Sequence, residues 1–394
     1  MNAPASTGRR RLRIAVLNRI FETQGGGAER YSIALVEQLS RQHEVHVFAQ
    51  QIDHNAPGVS YHRISTPLRK PRWLNQLWYA WATWRATRSG FDIVHSHENT
   101  WHGEVQTVHV LPVKHNLFHG RSGFARALRW IKVATSPRLL TYLWLERQRV
   151  KPAPHRCVVV TSESLGAVVG STYPASREVM AVVTPGVSFP QAPASLDEKR
   201  AARAQLGLPA DGLCLLFVGN DYRKKGLDTL LKALTALPAE VVLAVVGNPA
   251  HIPAFSRQTD AAGLARRVFF LGALPDVTPA YRAADALVHP TLEDTFAMVV
   301  LEAMAHGLPV LVSGPVYCGI SGLLDDGVNA LLLGDPRDAQ HLGAALARLT
   351  GDESLRAALG EQARVFAARH RWEDVARRQE AIYFACADGL KPPV

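Results

Sequence analysis

The chain has 394 residues, 47% of them hydrophobic and 20% charged, which is enough for two full cores and unlike a disordered, collagenous or disulfide-framed chain. Its formal charge of +10 is unevenly spread: residues 1–190 carry 24 Lys and Arg against 11 Asp and Glu, and residues 191–394 carry 20 against 23. The first half also holds 11 of the 16 His, and seven of the eight Trp lie between Trp73 and Trp144, so it is expected to meet something anionic: nucleic acid, a membrane surface or a phosphorylated substrate.

The N-terminal MNAPASTGRRRLRIAVL is basic but lacks the apolar core of a signal peptide. No apolar run approaches the ~18–20 residues that span a bilayer. LRIAVL (12–17), EVHVFA (44–49), FDIVHSH (91–97), VQTVHV (105–110), CVVVTS (157–162) and VMAVVTP (179–185) are short strand-like runs separated by helical segments. That is the rhythm of a parallel sheet covered on both faces. PGVSFPQAPAS (185–195) interrupts it and reads as a linker. LCLLFVG (213–219), EVVLAVVG (240–247), VFFLG (268–272), ALVHP (286–290) and LPVLVS (308–313) restart it, with helices predicted over 226–236 and 296–306. The pattern predicts an α/β chain with Rossmann-like domains at 1–190 and 191–372 and a C-terminal helix, 373–394, packing back on the first domain. Cys157, Cys214, Cys318 and Cys386 lie far apart without CxxC spacing, as expected of reduced, buried thiols in a cytosolic protein.

Three segments carry chemistry. GGGAER (25–30) lies between the first strand and the first helix, where glycines allow close backbone approach and free amides can meet an anion. Arg30 stands where a dinucleotide fingerprint would need glycine, which argues against a nicotinamide enzyme. In VGNDYRKKGLDTLLKAL (218–234), Arg223, Lys224 and Lys225 sit between a strand end and a helix start, a natural phosphate site. In HPTLEDTFAMVVLEAMAHGLPVLVS (289–313), Asp294 precedes a helix that contains Glu302.

Together these segments identify a resemblance, over nearly the whole chain, to family 4 retaining glycosyltransferases of the GT-B fold. The family's Gly-Gly loop matches Gly26-Gly27, its Lys-Gly phosphate motif matches Lys225-Gly226, and its paired acids match Asp294 and Glu302. VGNDYRKKGLD, with His-Pro before the acidic loop, is most similar to the heptose-directed glucosyltransferases of the lipopolysaccharide core. The resemblance implies two domains facing across a cleft that binds a nucleotide-sugar. It implies that Glu302 holds the ribose, that Asp294 contacts sugar hydroxyls, and that Lys225, aided by Lys224 or Arg223, neutralises the diphosphate. Gly26, Gly27, Ala297 and the amides of Met298 and Val299 would line the phosphates, and His109 would lie near the reacting sugar.

No Asp-x-Asp motif is present and the His cluster has no metal spacing, so no metal and no other cofactor are expected. Three departures stand out: Asp294 is a methylene shorter than the family's Glu, Ala297 replaces its usual Gly, and Asn220 stands where many relatives have Arg.

Residues 69–88 and 121–151 interleave cations with aromatics. Leu74, Leu77, Trp78, Trp81 and Trp84 form one helical stripe, either core or an interfacial membrane face. The expected activity is transfer of glucose from UDP-glucose to a lipopolysaccharide-core or other lipid-linked acceptor. The expected location is the cytoplasm, peripheral on the inner face of the cytoplasmic membrane, with no nucleic-acid partner. The alternatives are another family 4 hexosyltransferase, a nucleotide-sugar 2-epimerase, or a non-catalytic anionic-glycan or nucleic-acid binding protein.

Overall fold

The computed structural model describes residues 10–22 and 26–390; Gly25, first of the glycine triplet, lies outside them. The chain forms two compact units. The first takes in the chain up to Thr184 and again from Trp372; the second is Pro185–Arg371.

In the first unit the strands are β1 (Arg13–Leu17), β2 (Ile20–Glu22), β3 (Glu44–Ala49), β4 (Gln51–Asp53), β5 (Val59–Arg63), β6 (Ile93–Ser96), β7 (Val105–Val108), β8 (Cys157–Val160) and β9 (Met180–Val182). The helices are α1 (Gly27–Leu39), α2 (Arg72–Thr87), α3 (Val113–Phe118), α4 (Gly123–Ala134), α5 (Pro137–Val150) and α6 (Glu163–Thr172). Seven strands form one parallel sheet in the order β5-β3-β1-β6-β7-β8-β9, and β2 pairs with β4 apart from it. Strand β1 is buried from Ile14 to Leu17 without alternation, as a sheet covered on both faces requires.

The second unit contains α7 (Leu196–Gln205), β10 (Cys214–Val218), α8 (Leu227–Leu234), β11 (Val242–Val246), α9 (Ile252–Ala261), β12 (Val268–Gly272), α10 (Thr278–Ala283), β13 (Ala286–His289), α11 (Met298–Ala305), β14 (Val310–Ser313), β15 (Leu331–Leu333), α12 (Ala339–Gly351) and α13 (Glu353–Ala367). Its parallel sheet runs β12-β11-β10-β13-β14-β15, the doubly wound order of a Rossmann fold. Apolar side chains from alternate strand positions build one core on each face: Leu216 and Val218 on one, Leu215 and Phe217 on the other.

Residues 185–190, read from the sequence as the end of the first domain, belong to the second unit. The Val187 amide donates to the His370 carbonyl (2.8 Å) and the Arg364 guanidinium to the Pro190 carbonyl (3.2 Å), which ties this stretch to the unit's far end. Helix α14 (Trp372–Ala387) belongs to the first unit. There the Leu12 amide donates to His43 Nδ1, so the ring's proton sits on Nε2 and is donated to Glu380 at 2.9 Å. The Tyr383 hydroxyl meets His95 Nδ1 at 2.6 Å.

Candidate active site

In an open doubly wound sheet, ligands bind at the carboxyl ends of the strands where the strand order reverses. In the second unit that point lies between β10 and β13, and the loops after these strands carry the predicted cations and acids. Gly226 explains how they meet. Its φ is +82°, and a Cβ there would lie 1.9 Å from the Pro290 carbonyl oxygen, so only glycine lets the two loops touch. The Leu292 amide then donates to the Lys224 carbonyl at 2.8 Å.

The three cations do not form one cluster. Arg223 is exposed. Lys224 pairs with Glu293 at 2.6 Å near the surface. Lys225 is largely enclosed, with Nζ 2.5 Å from Asp294 Oδ2 and 3.2 Å from the Glu293 carbonyl. Asp294 is therefore paired within the chain, at the position for which the resemblance implies contact with sugar hydroxyls. Its Oδ1 accepts from the amides of Phe296 (3.3 Å) and Ala297 (2.9 Å), and its Oδ2 also meets His289 Nε2 at 3.2 Å. Burial opposes its ionisation, but the His289 hydrogen bond and the Lys225 charge prevail and hold the carboxyl well below the usual carboxylate range. His289, fully buried, is pushed down by burial, which Asp294 offsets only in part.

Helix α11 starts at Met298, two residues later than the sequence indicates. The reason is Ala297, which takes a left-handed conformation (φ 70°, ψ 68°) and has no side chain to cap the first-turn amides. A non-glycine residue held there carries strain of about 1 kcal/mol, and such strain gathers at functional sites. Glu302 lies one helical stretch further on and accepts from the Tyr281 hydroxyl of α10 at 2.6 Å. Sequence reasoning missed Tyr281 and His289. The second follows directly from the His-Pro dipeptide noted before the acidic loop; nothing in the sequence signals the first.

In the first unit α1 starts at Gly27, with Gly26 as an N-cap that offers no side-chain hydrogen bond. His109, just beyond β7, lies with its Nε2 2.9 Å from His97 Nδ1, the two rings stacked. Tyr31 of α1 meets the His109 ring edge-on at 5.1 Å and Trp372 at 5.5 Å. Burial pushes His109 and His95 down to about 3 and His97 well below its ordinary value, so His109 is a neutral imidazole at neutral pH. The Tyr31 hydroxyl and His97 Nε2 are buried without a hydrogen-bond partner among the described residues; neither was singled out from sequence. Among the described residues no cluster of His, Cys, Asp or Glu could hold a metal ion.

The basic aromatic helices decide between the alternatives that the sequence leaves open, core or surface. On α2 the buried face is Asn75, Gln76, Tyr79, Ala80, Thr83 and Thr87, and Trp81 and Trp84 are exposed. The aromatic stripe is thus not core. The polar face is buried because its groups are paired: Asn75 with Gln50, Gln76 with the Asn99 carbonyl, and the Tyr79 hydroxyl with the Phe48 carbonyl. On α4, Val133 alone is buried, while Phe124 (78% exposed), Leu128 and Ile131 form an open apolar stripe flanked by Arg126 and Lys132. No helix among the described residues is long and apolar enough to cross a membrane.

Residues 25–189 match the model for Glycosyltransferase Family 4, and residues 198–366 match Glycosyl transferases group 1. A D-inositol 3-phosphate glycosyltransferase from Xylanimonas cellulosilytica is 33% identical over 221 residues, 54% of this chain and 52% of that protein; the chain spans about half the length of the first curated relatives it matches. WaaG, a glycosyltransferase involved in lipopolysaccharide biosynthesis, superposes with a TM-score of 0.79 at 21% identity, covering 94% of this chain and 99% of its own. HepE from Anabaena, solved with UDP-glucose, gives 0.74 at 17% identity, covering 96% and 100%. At these identities the two structures establish a shared fold.

Proposed function

The chain belongs to the family 4, group 1 glycosyltransferases of the GT-B fold, and from that premise we propose that it is a retaining hexosyltransferase that moves glucose from UDP-glucose to a lipopolysaccharide-core or other lipid-linked glycan. The observation that carries this reading is the Lys225 ammonium, fixed at the switch point of the second sheet near the uncapped start of α11. Transfer breaks the bond between the anomeric carbon and the diphosphate oxygen, and negative charge grows on the departing nucleoside diphosphate. A cation and helix-start amides already aimed at that charge lower the barrier without reorganising.

In this reading Lys225 takes the diphosphate, with Arg223 and Lys224 adding charge from the rim. Within the second unit the amides of Met298 and Val299 receive phosphate oxygens, with Ala297 shaping the backbone beside them; within the first unit Gly26 and the Gly27 amide are assigned to phosphate binding. Glu302, oriented by Tyr281, takes the ribose hydroxyls, and His109 lies as a neutral imidazole beside the reacting sugar. Since protein groups meet the leaving-group charge, turnover is expected to persist in a metal chelator. The open apolar stripe of α4 with its cations suits the headgroup region of an anionic membrane, so the enzyme would work peripherally at the inner face of the cytoplasmic membrane, where a lipid-linked acceptor is available. A second acceptor class, a phosphorylated inositol, is favoured by the name of the 33% identical relative.

The test is a panel of UDP-, GDP- and ADP-sugars scored for protection against thermal unfolding and for donor hydrolysis. UDP-glucose is expected to protect most. Protection by none of them would remove the donor assignment. Parallel assays with lipopolysaccharide core and with inositol 3-phosphate then decide the acceptor.

A further inference from the structure

The first acid of the family's paired signature is expected to face the donor sugar, yet here its acceptor capacity is already taken. A carboxylate offers about four acceptor positions. Those of Asp294 are met by four donors of the chain itself: Lys225 Nζ at 2.5 Å and His289 Nε2 at 3.2 Å on Oδ2, and the amides of Ala297 at 2.9 Å and Phe296 at 3.3 Å on Oδ1. A sugar hydroxyl would have to displace one of them. The side chain is only 16% exposed, and its backbone is pinned as well, its amide donating to the Tyr317 carbonyl at 2.8 Å and its carbonyl accepting from Gly319 at 3.0 Å.

Lys225 shows what this arrangement accomplishes. Its stem lies against Gly219, where a Cβ would come within 2.8 Å of Lys225 Cγ. Two of the three ammonium donors go to Asp294 and to the Glu293 carbonyl, which leaves one N–H for a ligand. His289 is fully buried at the end of β13 and gives Asp294 its second anchor. Through Oδ1 the same carboxylate fixes the left-handed turn at Ala297 that precedes the first amides of α11. One acid therefore sets both the cation and the helix start.

We propose that Asp294, supported by His289, is a positioning residue that aims Lys225 and the start of α11 at the donor's diphosphate, and that sugar selection rests on other groups. The inference rests on the donor site proposed above. It separates from direct sugar contact because UDP, which has no sugar, reports only on the diphosphate side.

The experiment measures binding of UDP, GDP and ADP by calorimetry, and kcat and KM with UDP-glucose and UDP-galactose, for the full chain and for Asp294→Asn, His289→Gln, Lys225→Met and the Asp294→Asn/Lys225→Met double variant. Asp294→Asn is expected to weaken binding of the preferred nucleoside diphosphate about tenfold and to lower kcat with both sugars by the same factor. On the Lys225→Met background the same change should have little further effect on binding, since residues acting as a unit are not additive. If Asp294→Asn does not fold, His289→Gln carries the test, with a smaller loss of nucleotide affinity and an unchanged ratio between the two sugars. Unchanged nucleotide affinity with a shifted glucose-to-galactose ratio would overturn the inference and leave the donor site standing. Failure of the unmodified chain to bind any of the three nucleotides would overturn both.

Discussion

The two units share one sheet logic but treat their surfaces differently. Both wind parallel strands outward from a central first strand. The large hydrophobic side chains exposed on the second unit are scattered aliphatics such as Leu196, Val316 and Val365, while Phe124, Trp130, Trp144, Trp81 and Trp84 are all exposed on the first. Single exposed aliphatics are ordinary, but five exposed aromatics on helices rich in cations are not. The interiors differ as well: His95, His97, His102 and His109 are held below their ordinary range in the first unit, against His289 and His306 in the second. The comparison teaches that a common scaffold can gather cations and acids at the sheet's switch point in one unit and carry its exposed aromatics and most of its depressed histidines in the other.

The largest effect that would break this division is at Lys225. Lys225→Ala is expected to lower turnover by about a thousandfold, the scale of one lost electrostatic stabiliser, with the fold retained though less stable because Asp294 loses its partner; near-normal turnover would return this cation to a structural role. Next, replacing Arg126, Arg129 and Lys132 together by Gln should weaken binding to anionic vesicles by about a hundredfold, at roughly 1 kcal/mol for each cation near the surface, and should spare donor hydrolysis in solution. Equal binding before and after, in a vesicle sedimentation assay, would mean that the aromatic surface faces something other than lipid.

Acid should separate the units less sharply. A histidine whose folded value is depressed binds protons more readily when unfolded, so its contribution is present above the unfolded value of about 6.5. It is lost as pH falls through the window from there to about 3, the value to which burial pushes His95 and His109. Asp294 likewise contributes above the ordinary carboxylate range and loses its contribution only as pH falls below it. Between pH 6 and 4 the first unit should therefore lose stability before the second, readable as two transitions in calorimetric scans; a single transition with no pH dependence there would contradict it. The smallest effect is Ala297→Gly, which should relieve the left-handed strain and stabilise the second unit by up to about 1 kcal/mol, read by denaturant unfolding.

Most strands were legible because buried parallel strands are continuous apolar runs; EVHVFA and VFFLG coincide with β3 and β12. Strands β2, β4, β5 and β15 were not, because IFE, QID, VSYHR and LLL are too short or too polar to stand out. On α2 apolar spacing could not tell core from surface, because internal partners made the Asn75 and Gln76 side the buried one. Of the site, the Lys-Gly turn and Asp294 could be named in advance because each follows a strand end, and Glu302 because its spacing from Asp294 matches the family's paired acids. What each acid binds could not. Tyr281 reaches Glu302 across 21 residues and Lys225 reaches Asp294 across 69, contacts created by the fold alone.

The bridge between Val187 and Arg371 has a consequence for how such chains can be recombined. It brings the entrance and exit of the second unit side by side, so that unit is an insertion whose two ends meet. Helix α14, with Tyr383 on His95 and Glu380 on His43, stays with the first unit. A chimera that exchanges everything after a single cut near residue 190 would replace the helix that closes the first unit. One that exchanges 185–371 as a cassette would keep it, and with it the first unit intact.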